Sequence, residues 1–233
     1  MLKLQNVVWN IQDISYTAQQ GRLVVITGPN GGGKTTLAKL VAGLEKPTSG
    51  KIYLNNEDIT DCDITQRAKK GIAYAFQQPV RFKGITIQEL LELAAGKELS
   101  YTELCDLLGK VGLCAREYIN RELDSGLSGG EMKRVEIASV LARNAKVTIF
   151  DEPEAGIDLW SFTKLVETFQ ELRRRQNGLL LIISHQERIL EIADEIVVIA
   201  KGKIRTVGSK DEVLPQLLSG EISKKCPRGK ENQ

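Results

Sequence analysis

The segment GPNGGGKT, residues 28–35, restricts the possible folds of this chain more than any other stretch. It matches the pattern G-x-x-x-x-G-K-[ST] and stands between an apolar run and a helical pattern. Glycines let a backbone wrap closely around phosphate groups, so that its N–H groups point inwards at the positive end of the next helix. The segment therefore predicts a strand, a phosphate-binding loop and a helix in succession.

Each residue of this loop is a candidate for phosphate or metal binding: Gly28, Pro29, Asn30, Gly31, Gly32, Gly33, Lys34 and Thr35. The Lys34 ammonium group is expected to reach the β- and γ-phosphates of a nucleotide, and the Thr35 hydroxyl group is expected to bind Mg²⁺. A glycine-rich turn with an incidental lysine is the alternative interpretation. The complete pattern between a strand and a helix argues against that alternative.

An acidic pair, Asp151-Glu152, follows the apolar run VTIF. An aspartate at the end of a strand beside a phosphate loop can hold Mg²⁺, and Glu152 can orient or deprotonate an attacking water molecule. Alone, such a pair is typical of a solvated strand end. The single histidine, His185, follows another apolar run, LLLIIS, at the edge where open parallel sheets bind ligands. These residues are therefore predicted to share one site with the phosphate loop.

Apolar runs and helical patterns alternate along the chain. Strands are predicted in LKLQNVVW, GRLVVITG, GKIYLNN, GIAYAF, KVTIFD, GLLLIIS and EIVVIA, and helices over residues 34–42, 131–143 and 161–175. Residues 87–124 show only helical spacing, which predicts an inserted helical lobe. The alternation predicts an α/β protein with a mostly parallel sheet, and the lack of an internal repeat or linker predicts a single domain.

The composition argues against several classes of protein. Lys and Arg number 32 against 30 Asp and Glu, without the concentrated basic face of a nucleic-acid-binding protein. No apolar stretch approaches the roughly 20 residues of a membrane-spanning helix, and the first residues lack a signal-peptide pattern. The cysteines are scattered, which favours reduced thiols in a cytoplasmic protein over a disulfide or zinc site. They are Cys62, Cys105, Cys114 and Cys226.

The segment SGLSGGEMKRVEIASVL, residues 125–141, predicts a helix with an unusual start. Ser128 and Glu131 have the spacing of a capping box, and apolar residues recur behind them along one face. Gly129 and Gly130 occupy the first turn, where each glycine costs helix stability relative to alanine. Because this cost is accepted at two positions, we infer that the first turn of the helix has a function that requires backbone groups without side chains.

The ordered motifs GPNGGGKTT, FQQP, LSGGE, TIFDEP, AGID and SHQ resemble those of the ATP-binding cassette (ABC) ATPases over about residues 1–215. The resemblance implies a P-loop NTPase fold of the α/β class, with a mostly parallel central sheet, N-terminal antiparallel β-strands and an inserted helical subdomain. It also implies that the chain is an ATPase with ATP and Mg²⁺ as cofactors. The single ABC ATPase domain, residues 1–233, then divides into a core of residues 1–86 and 128–215, a helical subdomain of residues 87–127 and a flexible tail of residues 216–233.

In this family the LSGGE segment, here residues 127–131 and called the signature segment below, faces the γ-phosphate of an ATP molecule held by a second subunit. The resemblance therefore implies an ATP-dependent homodimer, arranged head to tail, in which bare glycines leave backbone N–H groups free to meet the anion. The candidate ATP-binding residues of the segment are Ser128, Gly129, Gly130 and Glu131. Asp158 matches the loop that crosses between subunits, although Ala155 stands where the family commonly has serine.

The resemblance also assigns roles to single residues. Thr36 completes the phosphate loop, whose Lys34 is counted among the catalytic residues. Gln77 of FQQP matches the residue that senses Mg²⁺ and couples the two lobes. Glu152 matches the catalytic base, and His185 matches the switch histidine that contacts the γ-phosphate.

An aromatic residue near the N-terminus usually stacks on adenine in this family. Trp9 is the candidate here, and Tyr16 is an alternative because the segment from Trp9 to Gly28 is short. An ordinary core or sheet contact is an equally good interpretation of Trp9.

Two kinds of partner fit the resemblance. Most cassettes drive membrane transport and bind a permease. The segments FQQPVRFKGIT, SGGEMKR and SHQERILEIADEIVVIAKGKI instead resemble the SUF-system ATPase (SufC) of iron–sulfur cluster assembly, which implies a SufB- or SufD-like scaffold protein as partner. Pro153 is more transporter-like, since SUF ATPases commonly have serine there. The SUF-type role is the main prediction, and an ATP-binding subunit of a membrane transporter is the alternative.

The pair Lys133-Arg134 departs from the glutamine-rich version that transporter cassettes usually have at this place. A charged pair on a helix is, in general, typical of a solvated face. A non-hydrolysing cassette is a further alternative, against which both Glu152 and His185 argue. Cassettes that act on nucleic acid often carry long coiled coils or two fused cassettes, and neither is present in a chain of 233 residues.

Overall fold

The computed structural model describes residues 1–9, 11–78, 81–124, 126–175 and 178–219. Its strands are β1 (Leu2–Val8), β2 (Ile14–Ala18), β3 (Leu23–Thr27), β4 (Ser49–Leu54), β5 (Glu57–Asp58), β6 (Ile72–Ala75), β7 (Val147–Asp151), β8 (Leu179–Ile183), β9 (Glu195–Ala200) and β10 (Lys203–Gly208). Its helices are α1 (Lys34–Ala42), α2 (Ile64–Lys70), α3 (Ile87–Ala95), α4 (Tyr101–Lys110), α5 (Ala115–Tyr118), α6 (Gly129–Ala142), α7 (Leu159–Arg175), α8 (Glu187–Leu190) and α9 (Lys210–Leu218).

A six-stranded sheet in the order β10-β9-β3-β8-β7-β6 forms the centre of the molecule. The five strands from β9 to β6 run parallel, and β10 is antiparallel to β9. Every residue of β3, β7 and β8 is buried, as expected of strands covered on both faces. Parallel pairing places the carboxyl ends of these three strands at one edge of the sheet.

A second sheet, in the order β2-β1-β4-β5, is antiparallel throughout. Its buried side chains share one hydrophobic cluster with α1 and with one face of the central sheet. The opposite face of the central sheet packs in another cluster with α3, α4, α6 and α7. The predicted class is confirmed: an α/β P-loop fold with an antiparallel N-terminal sheet, a mostly parallel central sheet and a helical subdomain.

The strands that the sequence patterns missed are the short or half-exposed ones. β5 has two exposed residues, and β10 alternates between exposed and half-buried positions, so neither presents a continuous apolar run. β2, α2, α8 and α9 were missed as well. The predicted strands all form, and α6 and α7 each begin two residues before their predicted starts, at Gly129 and Leu159.

Two helices, α3 and α4, lie where helical spacing predicts them, and the short helix α5, which had no pattern of its own, follows them. Thr86 pairs with Glu122 in an isolated antiparallel bridge, and the Leu123 amide donates to the Ile85 carbonyl oxygen at 3.1 Å, which closes the base of this region. The division into residues 1–86, 87–127 and 128–215 stays a prediction. Of the predicted tail, residues 216–218 belong to α9, and residues 220–233 lie outside the described residues.

No helix in the described ranges has both the length and the apolar character needed to cross a bilayer. The three described cysteines are free thiols; Cys62 and Cys105 are half-buried and Cys114 is exposed. Cys226 lies outside the described residues.

Arg67 of α2 is fully buried and caps the C-terminal end of α1. Its guanidinium group donates to the carbonyl oxygens of Leu40 at 2.5 Å and Val41 at 3.0 Å, in the last turn of α1. It also donates to the carbonyl oxygens of Thr60 at 2.9 Å and Cys62 at 3.0 Å. Burial lowers the pKa of Arg67, and these carbonyl contacts hold the cation in place. One arginine therefore anchors α1, the helix that follows the phosphate loop.

Replacing Arg67 with methionine is expected to destabilise the protein by about 3 kcal/mol, because several buried carbonyl oxygens lose a charged donor. Urea unfolding followed by circular dichroism measures the loss. Arg143→Met is the matched control: the Arg143 guanidinium makes one exposed bond of 3.5 Å, to Ala68, and its loss is expected to cost under about 0.5 kcal/mol. Equal stability of the two variants would contradict the anchoring role of Arg67.

Candidate active site

The predicted site residues meet at the carboxyl ends of β3, β8 and β7. The phosphate loop, residues 28–33, follows β3, and Asp151 ends β7. His185 follows β8, which lies between β3 and β7 in the sheet. Strand order alone therefore brings three distant parts of the chain to one place, as open parallel sheets do with their ligand sites.

The phosphate loop has a backbone that only glycine tolerates at its tightest point. Gly28 has a φ of 132°, and a side chain there would overlap the carbonyl oxygen of Ile199 in β9. The Gly32 amide donates to the Pro29 carbonyl oxygen at 3.0 Å, which folds the loop back on itself. α1 begins after Gly33 without a side-chain cap, so its first N–H groups are available to an anion.

Lys34 lies across this loop. Its ammonium group donates to the carbonyl oxygens of Gly28 at 2.8 Å and Pro29 at 3.0 Å. Burial lowers the pKa of Lys34, and the nearby carboxylates of Glu152 and Asp151 oppose that shift. The lysine is thus positioned at the loop that its motif predicts, with its charge partly desolvated.

Asp151 is buried and accepts two hydrogen bonds. Thr35 Oγ1 donates to Asp151 Oδ1 at 3.2 Å, and the Tyr74 hydroxyl group donates to Oδ2 at 2.8 Å. Burial raises the pKa of Asp151 despite both bonds. A hydroxyl and a carboxylate oxygen are donors that Mg²⁺ accepts, beside phosphate oxygens and water. No cluster of three or more His, Cys, Asp or Glu side chains suited to a metal occurs among the described residues. Thr35 and Asp151 are the residues that would hold the ion.

Gln77, the third predicted metal ligand, contacts Glu152. Its amide Nε2 donates to Glu152 Oε2 at 2.7 Å, while Glu152 Oε1 lies 3.9 Å from His185 Nε2. Glu152 also has a φ of 48°, a left-handed backbone that a non-glycine residue adopts at some energetic cost. The structure therefore brings Gln77, Glu152 and His185 together around one carboxylate, in a strained position of the kind found at functional sites.

The surroundings of His185 favour its neutral form. Burial lowers the pKa of its imidazole, and the positive charge of Lys34 lowers it further, against the opposing effect of Glu152. A neutral imidazole has one donor and one acceptor nitrogen, so His185 is able to donate one hydrogen bond, either to a carboxylate or to a phosphate oxygen.

The start of α6 has the predicted capping box. The Ser128 amide donates to Glu131 Oε2 at 2.7 Å, and the Glu131 amide donates to Ser128 Oγ at 3.2 Å. A further hydrogen bond from the Tyr118 hydroxyl group is the main cause that lowers the pKa of Glu131 to about 2. The glutamate is therefore ionised and fully engaged within its own chain.

The two glycines of this helix start face different surroundings. A side chain added at Gly129 would meet nothing within 4 Å, whereas one at Gly130 would lie 2.8 Å from the carbonyl oxygen of Gly156. Gly130 is therefore required by packing inside the chain. Gly129 leaves an open face at the helix N-terminus, where an anion is favoured.

Asp158 caps the start of α7. Its Oδ1 accepts hydrogen bonds from the amides of Trp160 at 3.1 Å and Ser161 at 3.0 Å, and the bonds from Ser161 lower the pKa of Asp158. Leu159 and Trp160 beside it are 70% and 85% exposed, which leaves two large apolar side chains on the surface.

Trp9 and Tyr16 are both half-buried against the core of the antiparallel sheet. The Tyr16 hydroxyl group donates to the Glu195 carboxylate, which ties β2 to β9. Ile11, two residues after Trp9, would contact a side chain at Gly33, so this segment borders the phosphate loop. Stacking of adenine on Trp9 stays a prediction.

The structure shows polar side chains at or near the site whose contacts no motif predicted. Tyr74 comes from the neighbouring strand β6, and Glu154 accepts a 2.6 Å hydrogen bond from Ser184 beside His185. Lys133 is buried, so the general interpretation of a charged pair on a helix as a solvated face does not apply to that lysine. Tyr74 and Glu154 are polar groups next to apolar or motif residues, which is the one signal that pointed to them.

Comparison with known proteins places the chain in a family. The ABC transporter family model matches residues 11–155. An uncharacterized ABC transporter ATP-binding protein of Methanocaldococcus jannaschii is 36% identical over 94% of this chain and 92% of that protein. The lipopolysaccharide export ATP-binding protein LptB of Haemophilus influenzae is 33% identical over 88% of this chain and 86% of that protein. The chain belongs to the ABC transporter family.

A solved structure supports the same conclusion. An ATP-binding cassette in a dimeric, post-hydrolysis state, bound to ADP and Pi, superposes with a TM-score of 0.81 at 25% identity, over 90% of this chain and 99% of that one. The chain is an ABC-type ATPase, and its cofactors are ATP and Mg²⁺.

Replacing Lys34 with alanine is expected to weaken ATP binding on the order of 100-fold, because the buried phosphate site loses its charged donor. Isothermal titration calorimetry measures the dissociation constant. Lys39→Ala, on the same helix, is the control and is expected to bind ATP as the wild type does. An unchanged ATP dissociation constant in the Lys34 variant would refute the assignment of the phosphate loop.

Proposed function

We propose that this chain is the ATP-binding subunit of an ABC membrane transporter and that ATP hydrolysis between two copies drives a conformational change in a permease. The observation that carries the proposal is an apolar groove that is lined in part by Phe76, the residue before Gln77. The relatives reported above support the choice of partner, since both are named ATP-binding proteins of transport systems. The predicted cytoplasmic location belongs to this proposal.

In the proposed hydrolysis, each chain supplies the phosphate loop and the acidic pair. Lys34 and the backbone N–H groups of residues 30–36 would hold the β- and γ-phosphates, and Thr35 with Asp151 would hold Mg²⁺. Glu152 accepts a proton from the water molecule that attacks the γ-phosphorus, and ADP leaves as the bond to its β-phosphate oxygen breaks. Gln77 orients Glu152 and the metal, and His185 donates to the γ-phosphate.

The second copy is proposed to complete the site. Ser128, Gly129, Gly130 and Glu131 of one copy would face the γ-phosphate held by the other, with Asp158 at the crossing between them. Support comes from the open face at Gly129, whose own chain places nothing within 4 Å of an added side chain. The dimeric state of the related cassette is consistent with this arrangement.

The groove has a volume of about 330 Å³ and runs between α2, α3 and α6. Phe76, Met132 and Val135 contribute to its lining, together with Phe82 and Leu93, which are 44% and 77% exposed. Large apolar side chains at a surface groove indicate a protein partner. A short apolar helix of the permease fits such a groove, by insertion of its side chains between α3 and α6.

A SufC-like role, with a SufB- or SufD-like scaffold protein in the same groove, is the second candidate. It depends on the resemblance of FQQPVRFKGIT, SGGEMKR and SHQERILEIADEIVVIAKGKI to the SUF-system ATPase. The groove is equally able to accept a helix of a scaffold. The transport systems named for the relatives favour the permease.

Glu152→Gln is expected to keep ATP affinity and to lower the hydrolysis rate by at least about 100-fold, because the amide cannot accept the proton of the attacking water. ATP should then hold the variant as a dimer, which gel filtration with ATP detects. Glu167→Gln, at an exposed position on α7, is the control and is expected to hydrolyse ATP normally. Normal hydrolysis by the Glu152 variant would show that Glu152 is not the base.

The partner is tested by purification of the tagged chain from its native host, with and without detergent. A polytopic permease is expected only with detergent and is expected to be lost in Leu93→Glu, which places a charge in the groove. Leu218→Glu, at an exposed position on α9, serves as the matched control. Recovery of a soluble scaffold protein without detergent, lost in the same variant, would replace the permease with the SUF-type partner.

A further inference from the structure

Lys133 and Glu136 form a buried ion pair on α6. The Lys133 ammonium group lies 3.2 Å from Glu136 Oε2, and the two side chains are 1% and 12% exposed. Two charges at this depth lose much of their hydration, and their attraction alone does not reliably repay that cost. Burial raises the pKa of Glu136, so the carboxylate depends on its contacts. The ion pair therefore needs further hydrogen-bond partners.

These partners are backbone groups at the end of β6. Lys133 Nζ donates to the carbonyl oxygen of Phe76 and to that of Gln77 at 3.3 Å. Glu136 Oε1 accepts a hydrogen bond of 2.7 Å from the Phe76 amide. The polar backbone groups of Phe76, just beyond the last residue that β6 pairs with β7, are thus both held by α6.

The backbone that this pair holds carries a side chain of the active site. Gln77 Nε2 donates to Glu152 Oε2 at 2.7 Å. The helix that holds Gln77 begins at Gly129, in the signature segment. A path of direct contacts therefore runs from the signature segment, through Lys133 and Glu136, to Gln77 and Glu152.

We propose that Lys133 and Glu136 act as a clasp, positioning residues that hold the Gln77 backbone at α6, so that Gln77 orients Glu152 only while α6 is in place. Movement of the signature segment then changes hydrolysis through Gln77, in addition to any direct contact with phosphate. The clasp rests on the proposed role of Glu152 in hydrolysis. Phe76 and Glu136 also line the groove, but the clasp is tested on the ATPase alone, without a partner in that groove.

A role in packing alone makes a different prediction. If the clasp only stabilised the fold, replacing both charges with apolar side chains of similar size would change stability but not the catalytic rate at saturating ATP. If the clasp positions Gln77, the same replacement lowers kcat and leaves ATP affinity unchanged, because the phosphate loop is not touched.

The test is the double variant Lys133→Met with Glu136→Leu, which leaves no unpaired charge. We expect kcat to fall on the order of 10-fold and the ATP dissociation constant to change by less than about 2-fold. The control is Lys164→Met with Glu167→Leu on α7, an exposed pair with the same spacing and a separation of 3.1 Å, which is expected to leave kcat unchanged.

The decisive comparison repeats the double variant in a Gln77→Ala background. Because the clasp acts through Gln77, its loss there is expected to lower kcat by less than about 2-fold further. Losses of kcat that multiply in the combined variant, or a folded double variant with the wild-type kcat, would overturn the proposal.

Should the double variant fail to fold, Glu136→Gln keeps an acceptor for the Phe76 amide while weakening the hold on Lys133. It is expected to lower kcat in the native background and not in Gln77→Ala, and any other pattern would overturn the proposal.

Discussion

The parallel pairing of β3, β8 and β7 is the constraint on which the rest of the structure depends. Each strand is buried along its whole length, so the polar backbone groups of all three are satisfied inside the sheet. The polar side chains at this edge of the sheet must therefore lie at or just beyond the carboxyl ends of these strands. The phosphate loop, the acidic pair and the histidine occupy these three ends. The antiparallel sheet and α1 cover one face, and the helical subdomain packs with α6 on the other.

Burial shifts the pKa values of charged groups at this edge of the sheet in a way that suits a nucleotide bound with a metal ion. It lowers the pKa of Lys34 and raises that of Asp151, so each group is pushed towards its neutral form. A triphosphate beside Lys34 and Mg²⁺ beside Asp151 each supply the opposite charge, which favours the ionised forms that binding requires. The same principle explains the clasp: Lys133 and Glu136 lie in a poorly hydrated place and are held by backbone groups of the residue that precedes Gln77.

Local patterns predicted what depends on neighbours in sequence. The phosphate loop, the seven predicted strands, the start of α1 and the capping box at Ser128 all follow from spacing and turn chemistry. Contacts between distant segments did not follow from any motif, because they depend on strand order and on the depth of α6. Tyr74 reaches Asp151 only because β6 lies beside β7, and Gln77 contacts Glu152, which its predicted role as a metal ligand did not include. The burial of Lys133 was missed for the same reason, since α6 is apolar on more than one face.

The central claim is that one chain carries half of each catalytic site, and complementation between two inactive variants tests it most directly. Lys34→Ala removes the phosphate loop's charge, and Gly129→Glu fills the open face of the signature segment with a carboxylate. Each variant alone is expected to be inactive. In a mixed dimer, one site combines the intact phosphate loop of the second variant with the intact signature segment of the first, so ATP hydrolysis is expected to return on mixing. Two folded variants that stay inactive when mixed, or a Gly129→Glu chain that hydrolyses ATP normally by itself, would contradict the account.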